Sequence, residues 1–236
     1  AGYSIARKLE AKTRGQAQAL SNIGDAKSML TVAEGSLGSV MDILQTMKEK
    51  TVQAANDTLG ADERTKIQNN LDALKAEITD ILTESEFNGT SLFAGGVTGT
   101  TFNFQVGAES GDTFSVEILG PTTGNMGGFP PNELGNVTVN GNATQRDSAI
   151  LTIDRSIADM NQLIAALGDD QKRLTFKQDN LNTSMNNYES ARSRIEDADF
   201  AKEQMNIVKA QILQQTGTAS LAQANSAPQS ILSLIG

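Results

Sequence analysis

Residues 150–195 read ILTIDRSIADMNQLIAALGDDQKRLTFKQDNLNTSMNNYESARSRI. Within them Ile153, Met160, Leu167, Leu174, Leu181, Tyr188 and Ile195 recur every seven residues, and Ile150, Ile157, Ile164 and Met185 form a second row three residues earlier. Two apolar rows at this spacing are the a and d rows of a coiled coil. Gln171, Gln178 and Arg192 interrupt the second row; polar residues in such a seam weaken packing but fix register. A helix covering the whole seam would be about 70 Å long. The predicted fold class is therefore mainly α: an elongated rod of long antiparallel coiled-coil helices, with a small β-hairpin region at the centre of the chain.

The other arm repeats the pattern. Over residues 4–57, Ile23, Leu30, Leu37 and Leu44 recur every seven residues, with Ala26, Ala33, Val40, Met47 and Ala54 three residues later. Gly15, Gly24, Gly35 and Gly38 each cost about 1 kcal/mol against Ala inside a helix, so close approach by a neighbouring helix is expected to compensate. A second helix over 61–85, with Ile67, Leu71, Leu74, Ile78 and Ile81 on one face, should pair antiparallel with the first. All four prolines lie at 121, 130, 131 and 228, which leaves both arms free of the strongest helix breaker. Between the arms, TFNFQVG (101–107) and DTFSVEI (112–118) alternate apolar and polar residues around AESG and predict a hairpin. Residues 120–143 are dense in Gly, Pro, Asn and Thr, predicting loops and one short strand at NVTVN, 136–140.

Composition removes most chemistry. The chain of 236 residues has no Cys and no His, which excludes disulfides, thiolate nucleophiles, N- or S-ligated zinc and imidazole acid–base catalysis. A net charge of −9, with no clustered basic patch, argues against nucleic acid. Carboxylates gather at Glu196, Asp197 and Asp199 and at Asp169 and Asp170. Such clusters on helices are solvated faces, and no phosphate loop or nucleophile elbow accompanies them. No catalytic residue, metal site or cofactor is predicted.

Residues 210–236, AQILQQTGTASLAQANSAPQSILSLIG, carry no charge and alternate Ile, Leu and Ala with Gln, Asn, Ser and Thr. Polar residues break every run before it reaches the about 18 apolar residues a membrane span needs, so the tail reads as an assembly segment buried against protein, without membrane insertion.

Arg194-Ile195-Glu196-Asp197-Ala198-Asp199-Phe200-Ala201-Lys202-Glu203, followed by the Gln-Ala-Asn-x-x-Pro-Gln of 223–229, resembles the bacterial flagellin family. Ala33-Glu34-Gly35, Val52-Gln53-Ala54-Ala55-Asn56-Asp57, Phe87-Asn88-Gly89-Thr90 and Phe104-Gln105-Val106-Gly107 extend the likeness in the same order along nearly the whole chain. The chain opens AGYSIARKLE, similar to a flagellin without its N-terminal segment. The resemblance implies a structural subunit that passes through the flagellar type III export apparatus and polymerises with other flagellin subunits into the extracellular filament for swimming. It divides the chain into 1–100, the two-helix N-terminal part of the rod domain; 101–147, the hairpin and loop-rich tip; 148–200, the C-terminal long helix of the rod domain; and 201–236, a core helix lacking its N-terminal partner.

The same resemblance implies that Ile207, Ile212, Leu213, Leu221, Ile231, Leu232, Leu234 and Ile235 pack in the filament core and first bind an export chaperone. It places Arg194, Glu196, Asp197, Asp199 and Glu203 at the junction of rod and core, paired between helices or subunits, and adds filament cap and junction proteins as partners. An animal Toll-like receptor reads a Q-R-x-R-E-L-x-V-Q stretch in many flagellins. Here it reads Gln45-Thr46-Met47-Lys48-Glu49-Lys50-Thr51-Val52-Gln53. Thr46 replaces a bidentate Arg and Lys50 an interface Leu, so recognition is expected to weaken, with Glu77 as a retained acidic contact. The alternatives in the structural class are a hook–filament junction protein, against which the Gln-Ala-Asn-x-x-Pro-Gln ending argues, and a flagellin-like adhesin using 120–143.

Overall fold

A computed structural model describes residues 2–94, 99–119, 134 and 137–235, with side chains for all of these but 198, 199 and 225–235. Seven elements follow in chain order: α1 (Gly2–Ala55), α2 (Ala61–Glu84), β1 (Glu86–Phe87), β2 (Thr90–Ser91), β3 (Thr100–Gln105), β4 (Thr113–Ile118) and α3 (Ala143–Ile235). They form two compact units, one of Gln16–Asn182 and one of Ala1–Gly15 with Thr183–Gly236. Helix α3 runs without interruption through 200, the boundary expected between rod and core segments. No residue there is Pro or Gly, so nothing interrupts the helical hydrogen bonds.

The larger unit rests on the heptad rows. Every predicted seam residue of α1, from Ile23 to Ala54, is buried with 1% or less exposure. Thr51 extends the same row one heptad and is also buried, its hydroxyl donating to Met47 O at 2.8 Å. That bond lets a polar side chain occupy a core position. Helix α2 runs antiparallel to α1. Ser85 donates to the Ser36 hydroxyl, while at the opposite end Arg64 donates to Ala54 O (3.2 Å) and Asn56 O (3.1 Å). Its core face is Ile67, Leu71, Ile78 and Leu82, with Leu74 and Ile81 only partly buried.

The α3 segment of this unit is antiparallel to α1. Lys27 Nζ donates to Thr175 Oγ1 (3.1 Å) and Gln178 Oε1 (3.3 Å), Gln171 Nε2 to Glu34 Oε2 (2.9 Å), and Lys48 pairs with Asp154 (2.6 Å). Both seam glutamines thus hold a polar partner across the helix pair, which is how they fix register. Ile153, Met160, Leu167, Leu174 and Leu181 are buried. The second row departs from expectation at its start: Ala149 and Ser156 are buried while Ile150 is half-exposed. Ser156 donates to Thr152 O at 3.0 Å, so a hydroxyl again substitutes for an apolar side chain.

Strands β3 and β4 form the expected hairpin, in register from Thr100↔Ile118 to Gln105↔Thr113. Phe114, Val116 and Ile118 are buried and alternate with exposed Thr113, Ser115 and Glu117. The Arg173 guanidinium lies 4.6 Å from the Phe114 ring centroid and Lys177 Nζ 5.9 Å, fastening the hairpin to α3 through cation–π contacts. The small β1–β2 hairpin was not expected. It turns at Asn88 (φ 51°) and Gly89 (φ 74°), a left-handed pair that Asn-Gly adopts readily.

The strand expected at 136–140 is replaced by backbone that bonds to a side chain. Gln68 Nε2 donates to Val137 O (3.0 Å) and Val139 N donates to Gln68 Oε1 (2.8 Å), so one amide takes the place of a strand partner. Asn136, the loop residues 120–133 and Phe129 within them lie outside the described residues. Helix α3 then starts on a capping box, with Gln145 N donating to Asn142 Oδ1 and Asn142 N to Gln145 Oε1, both at 2.9 Å. Within the chain, the predicted close approach does not occur at Gly24, Gly35 or Gly38. A Cβ on Gly24, Gly35 or Gly38 would meet nothing within 4 Å.

Candidate assembly surface

The smaller unit contains the predicted tail. Where α1 and α3 are both present, they interact: Ala6 is buried, and Lys12 Nζ lies 6.0 Å from the Tyr188 ring centroid. From 200 to 224, every described side chain of α3 is exposed. Phe200, Met205, Ile207, Val208, Ile212, Leu213 and Leu221 are all uncovered apolar groups, with Leu221 65% exposed. A depression of about 460 Å³ is lined by Gln204, Met205, Val208, Lys209, Ile212 and Leu213. Met205, Val208 and Ile212 stand at i, i+3 and i+7, one helical face. Ile212, Leu213 and Leu221 are thus placed together on an open helix with Ile207, whereas the side chains of Ile231, Leu232, Leu234 and Ile235 lie outside the described residues. The sequence reading singled out Ile207, Ile212, Leu213 and Leu221 but not Phe200, Met205 and Val208, although the spacing of Met205 and Val208 from Ile212 was a usable signal.

Around the acidic junction motif the described side chains form a cluster on α3. Its centre is Arg192, whose Nη1 meets Glu196 Oε2 at 2.8 Å and whose Nη2 pairs with Glu189. Hydrogen bonding from Arg192 holds the Glu189 carboxyl below its ordinary value, and Glu189 in turn raises the guanidinium. Ser193 Oγ donates to Asp197 Oδ2 at 2.6 Å, and Arg194 Nε reaches Ser190 O at 3.3 Å. These bonds run along α3 at spacings of three and four. Glu203 is exposed, and the side chain of Asp199 lies outside the described residues.

In the receptor-like stretch, Met47 and Thr51 face the core while Gln45, Thr46, Lys48, Glu49 and Gln53 are exposed and Lys50 is half-exposed. Lys48 is engaged by Asp154. Glu77 is exposed on α2. Among the described residues no group of three or more acidic, His or Cys side chains is placed to hold a metal, and no helix is long and apolar enough to cross a membrane.

Two family models match the chain: the bacterial flagellin N-terminal helical region over residues 1–98, and the bacterial flagellin C-terminal helical region over residues 150–235. The chain is 34% identical over 242 residues to the flagellar filament 33 kDa core protein of Treponema phagedenis, an alignment covering 99% of this chain and 84% of that protein. It is 34% identical over 235 residues to a flagellin of Halalkalibacterium halodurans, covering 100% of this chain and 84% of that one. Among solved structures it is similar to the flagellin of Bacillus cereus, with 25% identity, 71% of this chain and 88% of that one covered, and a TM-score of 0.51.

Proposed function

Because this chain belongs to the bacterial flagellin family, we propose that it is a structural subunit that polymerises into the flagellar filament. The observation that carries this reading is the helix 200–224, exposed on all sides with its apolar residues uncovered. An isolated helix is marginal in water. Each large apolar side chain on it gains about 1.5–3 kcal/mol on full burial, so the segment is stabilised by packing against further copies. A heterologous contact whose rotation does not close builds a helical filament from identical subunits. On this reading the subunit leaves the cell through the flagellar type III apparatus. An export chaperone covers the tail beforehand, cap and junction proteins bound the filament, and the filament drives swimming outside the cell.

Seeded growth on filament fragments, followed by negative-stain microscopy, tests the proposal. The unaltered chain is expected to elongate the seeds and the L213S/L221S double variant to fail; equal elongation by both overturns the assignment of the tail. The exposed Thr46 and half-exposed Lys50 extend the reading to weak recognition by an animal Toll-like receptor. A receptor reporter assay giving full potency would overturn that part alone.

A further inference from the structure

The chain contains no Cys, Trp or His, so methionine sulfur is the chief group a mild oxidant can attack. The methionines differ sharply in access. Met29, Met41, Met47 and Met160 are buried and Met185 is half-buried, whereas Met205 is 67% exposed; Met126 lies outside the described residues. Met205 also lines the apolar depression with Val208 and Ile212, at the face assigned above to subunit packing.

We propose that Met205 is a redox modification site, at which a peroxide-class oxidant blocks assembly of the free subunit. The Met205 sulfur attacks one peroxide oxygen and the O–O bond breaks. A sulfur–oxygen bond forms, the sulfur loses two electrons, and the other oxygen leaves as water. The product is a polar, chiral sulfoxide in place of a flexible apolar group. Burying that oxygen without a hydrogen-bond partner lowers the rate of subunit addition by about tenfold or more. Once packed in the filament, the sulfur is covered, so the subunit is vulnerable before assembly and resistant after it. Methionine sulfoxide is reducible enzymatically, which makes the block reversible. The assembly half of this proposal rests on the polymerisation reading; the selectivity of oxidation does not.

The test treats the full chain with hydrogen peroxide, as free subunit and as filament, and maps the tryptic peptide 203–209, which carries Met205 as its one methionine. In the free subunit that peptide is expected to gain one oxygen at least about tenfold faster than the peptides holding Met29, Met47 and Met160, and to be protected in filaments. Oxidised subunits should elongate seeds about tenfold more slowly than untreated ones, and the M205L variant should lose no rate on treatment relative to its own untreated rate. Oxidation of Met205 no faster than the buried methionines, or undiminished elongation by the sulfoxide form, overturns the proposal. Failure of the untreated chain to elongate overturns the polymerisation reading and the assembly block together, while the peptide map of the free subunit still decides whether Met205 is the site.

Discussion

Gly24, Gly35 and Gly38 lie within α1 with open space where a side chain would stand. Their backbone entropy cost is therefore not offset inside the chain, and Gly24→Ala and Gly38→Ala should each stabilise it by about 0.5–1 kcal/mol. The expected result is a higher denaturant midpoint at unchanged slope; a lower midpoint would show that the space is occupied after all. At Glu189 the hydrogen bond from Arg192 sets a pH dependence of known sign. Its folded pKa lies below the ordinary 4.5, so its contribution to stability is present above the unfolded value and is lost as pH falls through the folded one. Glu189 is exposed and Arg192 half-exposed, and solvent screening keeps that contribution small. Side-chain carboxyl NMR should show Glu189 titrating below 4.5, and moving toward 4.5 in the R192Q variant; an inflection that Arg192 does not influence would remove the assignment.

Single polar side chains join elements alongside the shared apolar core. Gln68 holds the 137–139 segment against α2 through both ends of its amide, and its near-isosteric replacement by Met should leave one N–H and one C=O without partners. Gln68→Met is expected to cost about 1–3 kcal/mol and to accelerate hydrogen exchange at the Val139 amide; unchanged exchange would mean the segment is held by Val137 and Val139 side chains alone. This contact also shows where sequence reading stops. The heptads of α1 and α3 and the β3–β4 hairpin were legible because apolar side chains repeat at the period of the element that buries them. The docking of 137–139 was not, since it depends on a residue some 70 positions away whose type carries no pattern. Thr51 and Ser156 escaped for another reason: hydroxyls bonded to their own helix can be buried, while a hydropathy pattern counts them as surface. Arg192 was read as an interruption of the seam, and its place at the centre of a charged cluster required the helix geometry that brings Glu189 and Glu196 to it.

Across the described residues, large apolar side chains fall into two populations, one covered by the fold and one exposed. Leu30 is fully buried at an α1 seam position, whereas Leu221 is 65% exposed on the tail. A side chain that the folded subunit does not cover contributes little to its stability, so folding and assembly should respond to different substitutions. Leu30→Ala is expected to lose about 2–5 kcal/mol through lost burial and the cavity left behind, visible as a fall in the denaturation midpoint of the isolated subunit. Leu221→Ser should change that midpoint by no more than about 0.5 kcal/mol, yet slow growth from filament seeds by about tenfold or more, because the burial of Leu221 is then gained only between subunits. Substantial destabilisation of the isolated subunit by Leu221→Ser would place the tail in the subunit's own core. Seeds that grow equally well with Leu221→Ser would instead show that filament packing draws on other faces of the chain.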